Sequence, residues 1–100
     1  MSRFASGTTL TFASATSALA AGLARVEAGA SGVDCTPLAQ FDSSALAVLL
    51  AWKRAAAARG VAFDIVNLPA GLASLAEVYG VDAFIAARHR PSHDSAPVSL

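Results

Sequence analysis

Eight consecutive apolar residues, Ala45 to Trp52, follow directly on Asp42, Ser43 and Ser44. This junction constrains the fold more than any other feature of the 100-residue chain. The side-chain oxygens of Asp and Ser accept hydrogen bonds from first-turn amides that have no partner inside a helix, so the triplet predicts a helix start. The helix is expected from about Ser44 to Ala58, with Gly60 ending it and Lys53, Arg54 and Arg59 set against the negative end of its dipole. The apolar run makes its first two turns hydrophobic on every side, whereas a helix packed on one sheet needs a stripe about 100° wide. The excess points to a partner that covers the remainder, with two hydroxyls and an acid presented at the helix end. Alanines 45, 47 and 51 offer the plainer alternative, an outer face that tolerates water.

The flanking sequence supplies an α/β frame. Thr8 to Phe12 is β-branched and aromatic, with Leu10 and Phe12 on one face, and predicts a short strand. Ser14 caps a helix to about Ala28, in which Leu19, Leu23 and Val26 form a buried stripe and Gly29 provides the left-handed stop. A second strand is expected over Val33 to Cys35, with Pro37 and Gln40 in the loop beyond it. Val61, Phe63 and Ile65 alternate with Ala62 and Asp64, the clearest strand pattern in the chain. Leu68 and Pro69 introduce a helix whose inner face is Leu72, Leu75, Ala76 and Tyr79, stopped by Gly80, and Val81 to Ile85 predicts a last short strand. Alternating strands and helices of this kind make an α/β domain with a partly parallel sheet. The domain is expected over residues 1–87, with residues 88–100 a flexible tail.

Composition excludes several functions. Seven basic and seven acidic residues cancel, so nucleic acid and anionic lipid gain no net electrostatic attraction. Hydrophobic residues make up 55% of the chain and charged ones 14%, which argues against disorder. No stretch approaches the ~20 apolar residues of a membrane span. Arg3 and the alanines that follow imitate a secretory signal, but Thr8, Thr9, Thr11, Ser14, Thr16 and Ser17 break its apolar centre, so the cytoplasm is expected. Cys35 is the lone cysteine, which rules out an internal disulfide and fits a reducing compartment. On an inner strand it is a small hydrophobe, not a nucleophile for His89 or His93. Those histidines flank Pro91, so they do not form a helical metal pair. Asp34 reads as a strand-end residue that bonds loop amides. With no glycine-rich phosphate loop either, neither an enzyme nor a cofactor or metal site is expected.

Val33-Asp34-Cys35 followed by Phe41-Asp42-Ser43-Ser44-Ala45-Leu46 resembles the STAS family, which includes bacterial anti-sigma-factor antagonists and the cytoplasmic tails of sulfate transporters. The likeness lies in a strand ending on aspartate and then an Asp-Ser-Ser-Gly-Leu turn opening a helix, with Ala45 here in the glycine position. It extends over about residues 8 to 86 and implies a mixed sheet of four to five strands flanked by helices. Leu75-Ala76-Glu77-Val78-Tyr79-Gly80-Val81 is most similar to the MlaB subgroup, cytoplasmic accessory subunits of a bacterial ABC system that moves phospholipid. The resemblance therefore implies a non-enzymatic subunit that binds the ATPase of such a complex, together with its permease, and lies at the inner membrane through that partner. Asp42, Ser43, Ser44, Ala45, Val48 and Trp52 are the expected partner-binding residues. Alternatively, it implies an antagonist that meets an anti-sigma-factor kinase and accepts phosphate on Ser43. A third reading is a STAS domain that holds a nucleotide or lipid near the same turn.

Overall fold

Two parallel strands cannot be joined by a tight turn; they need a crossover of a dozen residues or more, usually a helix. The chain provides such crossovers repeatedly. The computed structural model describes residues 3–86. In order these form β1 (Arg3–Ala5), β2 (Thr9–Leu10), α1 (Ala15–Glu27), β3 (Gly32–Asp34), β4 (Gln40–Phe41), α2 (Ser43–Ala58), β5 (Asp64–Val66), α3 (Ala70–Val78) and α4 (Asp82–Ala86). The strands make two small sheets, β1-β3-β5 and β2-β4, and every pairing among the described residues is parallel. This is an α/β architecture of the STAS type, with its five short strands divided between two sheets.

Registry places Phe4, Val33 and Ile65 in one row across the larger sheet. The row before it holds Arg3, Gly32 and Asp64. A Cβ on Gly32 would lie 2.5 Å from the Asp64 carbonyl oxygen and 3.2 Å from Cγ of Arg3. Its absence leaves the path along which the Arg3 guanidinium crosses the central strand to the Asp64 carboxylate, 2.9 Å away. The arginine is exposed, so the bridge itself adds little, and what glycine secures is the close approach.

Helix α2 organises the core. Ala45, Leu46, Val48, Leu49, Trp52 and Ala56 are all buried, and the helix packs against α1, α3 and α4. Trp52 enters a notch in α1 at Gly22, where an added Cβ would fall inside the indole ring. The indole N–H donates to the Leu19 carbonyl at 3.1 Å, and the Phe4 ring meets the indole edge-on at 5.2 Å. A large aromatic is thereby buried with its one polar atom satisfied.

Several expectations change. Val81 to Ile85 is not a strand: Asp82–Ala86 is a helix whose first bond runs from the Ile85 amide to the Val81 carbonyl, with Asp82 at its positive end. Gln40 lies not in a loop but in β4, paired with Thr9. The strand expected from Val61 begins only at Asp64, although Phe63 is buried as its alternation requires. Arg3–Ala5 is a strand that the sequence pattern missed. Lys53 and Arg59 do not serve the end of α2. Lys53 donates to the Phe63 carbonyl at 2.8 Å, and Arg59 reaches the Glu27 carbonyl at 3.2 Å, the terminus of α1. Tyr79 is exposed, outside the inner face expected of α3. The stops at Gly29, Gly60 and Gly80 all have positive φ, as expected. The boundary and tail expected at residues 88–100 lie outside the described residues.

Gly22→Ala tests the notch. The methyl forces Trp52 from its seat, an overpacking cost of roughly 1–3 kcal/mol. A urea denaturation midpoint equal to that of the wild type would show that α1 and α2 pack without it.

Candidate functional site

Asp42 ties two segments together. One carboxylate oxygen, Oδ1, accepts from the Ser44 amide at 2.9 Å and caps α2; the other, Oδ2, accepts from the Phe12 amide at 3.0 Å. The Asp42 amide in turn donates to the Leu10 carbonyl at 3.3 Å. One residue thus holds the turn after β2 against the start of α2. The Phe12 and Ser44 amides stabilise the charged carboxylate and hold its pKa below the usual range. Ser43 is exposed at this helix end and Ser44 is half-buried.

Phe12 does not share an inner face with Leu10. The strand stops at Leu10, because the Ser14 hydroxyl accepts from the Thr11 amide at 3.0 Å and the Ser14 amide donates to the Thr11 carbonyl at 3.0 Å. The resulting turn throws Phe12 outward, leaving it 84% exposed beside the cap. Ser14, three residues after Thr11, is the sequence signal that the alternation ends there.

The same geometry revises which residues of α2 face outward. Ala45, Val48 and Trp52 were expected to bind a partner, yet they are 0%, 4% and 2% exposed and belong to the core. Three neighbouring helices, not one sheet, surround the apolar run, so the chain itself covers most of the cylinder. What remains outside is a stripe at helical spacing: Ser43, Ala47, Ala51, Arg54 and Ala58, with Ala51 half-buried and the others exposed. The structure therefore brings together Asp42, Ser43, Ser44, Ala47 and Phe12 at one end of α2.

Other chemistry-bearing residues make hydrogen bonds of their own. Oδ1 of Asp34 accepts from the Thr36 hydroxyl at 2.6 Å, the Thr36 amide at 2.9 Å and the Asn67 side chain at 3.0 Å, which joins the loops after β3 and β5. These bonds, the Thr36 hydroxyl foremost, lower its pKa from 3.8 to about 2. Cys35 is fully buried, and burial pushes its thiol up to about 11, which suits a hydrophobe and not a nucleophile. His89 and His93 lie outside the described residues, among which no group of three His, Cys, Asp or Glu side chains could hold a metal ion.

The two depressed carboxylates set an acid limit on stability. Because Asp34 and Asp42 bind protons less readily folded than unfolded, their contribution is present above the ordinary carboxylate pKa and is lost as pH falls through the folded values. The urea midpoint should therefore drop between about pH 3.8 and about pH 2, and Asp34→Asn should flatten that limb. An unchanged slope in the variant would remove Asp34 from the account.

Residues 6–86 match the family described as "Mlab, STAS domain". A search of curated proteins and a search of solved structures each gave no match. STAS domains are generally binding and regulatory modules that mediate protein–protein interaction, and no described helix is long and apolar enough to cross a membrane. The family match spans both sheets beyond β1 and all four helices, including the Asp-Ser-Ser turn that opens α2. The chain belongs to the Mlab STAS domain family.

Proposed function

We propose that the chain is a non-enzymatic accessory subunit of a bacterial ABC complex that transports phospholipid, and that it binds the cytoplasmic ATPase through the Ser43 end of α2. The observation that carries this reading is the exposed group at that end: the Ser43 hydroxyl, the small Ala47 surface one turn on, and Phe12 standing almost free of its own fold. An exposed phenylalanine fixed to a helix cap makes a preformed anchor, since its backbone is held before the partner arrives. Alanine at position 47 lets a partner backbone approach closely. Docking there places the subunit at the inner membrane through its partner and requires no insertion of its own.

The exposed Ser43 hydroxyl also favours a second reading, an antagonist of an anti-sigma factor switched by phosphorylation. Amides and dipole at a helix N-terminus accommodate a phosphate. The same charge beside Phe12 opposes burial in an apolar interface, so modification would release the partner without refolding the domain. Recovery of the protein from its own cells separates the two readings: an ATPase with a permease supports the first, and a kinase-like anti-sigma factor supports the second.

For the recovered partner, Ser43→Asp should abolish binding while thermal unfolding stays that of the wild type. Phe12→Ala should weaken binding about thirtyfold, the loss typical of a truncated aromatic anchor. Wild-type affinity in both variants, measured by calorimetry with the purified partner, would place the interface elsewhere.

A further inference from the structure

A second concave surface lies toward the other end of α2. Its walls come from Leu50, Val61, Phe63 and Phe84, and it encloses about 510 Å³ between α2, the segment leading into β5, and α4. Phe84 is 65% exposed and lines it. Two cations, Lys53 and Arg54, also line the groove, and among the described residues no carboxylate does. Their circumstances differ. The Lys53 ammonium turns inward to the Phe63 carbonyl, whereas Arg54 is exposed on the outer stripe of α2.

We propose that this groove binds a single-chain anionic amphiphile, an alkyl carboxylate or alkyl phosphate taken as a monomer, with its chain along Val61, Phe63 and Phe84 and its head group on the Arg54 guanidinium. The volume falls within the roughly 300–1,000 Å³ of small-molecule pockets, which are mostly apolar with a few polar groups that orient the ligand. A stable protein interface buries about 800 Å² per partner over a broader face, so the concavity fits a small ligand better. Charge selects the sign of the head group: a guanidinium recognises carboxylate or phosphate in a bidentate manner, and no acid among the described residues of the wall competes for it. The apolar wall selects the tail, because an alkyl chain removes Phe84 from water as it enters. The site is separate from the Ser43 end and does not depend on what docks there.

The test is titration of the whole protein with dodecanoate below its micelle-forming concentration, followed by amide chemical shifts, beside dodecylamine of equal chain length. Saturable binding of one dodecanoate per chain is expected, with shifts at Arg54, Val61 and Phe84 and with dodecylamine markedly weaker. Arg54→Gln should weaken dodecanoate about tenfold, the scale of one lost charge-assisted hydrogen bond, while Arg54→Lys retains part of it. Ser43→Asp should leave it unchanged, which separates this site from the docking surface. Absence of saturation, equal binding of dodecylamine, equal binding by Arg54→Gln, shifts confined to the Phe12 end, or binding seen only with anionic phospholipid vesicles would each overturn the proposal.

Discussion

The fit of Trp52 into the notch at Gly22 is the contact on which the rest of the arrangement depends. It brings α1 against α2 at a distance only glycine permits, and it satisfies the indole N–H on an α1 carbonyl. With α1 seated on one side and α3 and α4 also packed on α2, positions 45, 46, 48, 49, 52 and 56 all turn inward. The apolar run that looks excessive for a helix on a sheet is what a helix among three others requires. The outward stripe is a consequence. Once those six positions are committed to the core, helical geometry leaves Ser43, Ala47, Ala51, Arg54 and Ala58 as the face that solvent or another molecule meets.

Local chemistry made some features legible in the sequence. Asp42 caps α2 as its oxygens dictate, and the glycines at 29, 60 and 80 end helices by adopting backbone angles that other residues resist. Asp34 bonds its loop as a strand-end aspartate does. The Asp-Ser-Ser turn lies within the residues that match the family. What was not legible depends on distant partners. Strands of two or three residues, such as β1 and β4, have no period to read and exist because β3 and β2 lie beside them. Val81 to Ile85 is apolar enough for either state, and its helix follows from packing on α2 and α3. The site was legible only in part for the same reason. The hydroxyl and its cap are local, but which face of α2 stays open depends on how many helices surround it, and Phe12 is placed by a turn that breaks its alternation.

Asp42 explains how this small site combines rigidity with exposure. A carboxylate that only capped α2 would leave the turn after β2 to find its own conformation. Here the second oxygen takes the Phe12 amide, so the aromatic and the serine share one anchor. Ordering entropy that binding would otherwise cost is then largely met during folding. The same arrangement makes the site sensitive to charge. A phosphate on Ser43 would lie close to a carboxylate already fixed in its ionised state by two amide donors, so the helix end would favour the new anion while Asp42 opposed it. A modification there would act on the partner's approach more than on the stability of the domain.

The outer face of α2 gives the two proposed surfaces different chemistry. Near Ser43 it is small and uncharged, which suits close contact with another backbone. Near Arg54 it carries a guanidinium beside an apolar hollow, which suits a ligand with one greasy and one anionic end. Ala47 and Ala51 separate them, so the residues that recognise one occupant are not those that recognise the other. Helix α4 forms part of the groove wall and packs on α2, whereas none of the described residues in the groove wall reaches Ser43. Coupling would require the occupant of the groove to favour one of two placements of α4, since a ligand with equal affinity for both shifts neither. The buried side of α2 is held by Trp52 in the notch at Gly22 and does not offer such freedom.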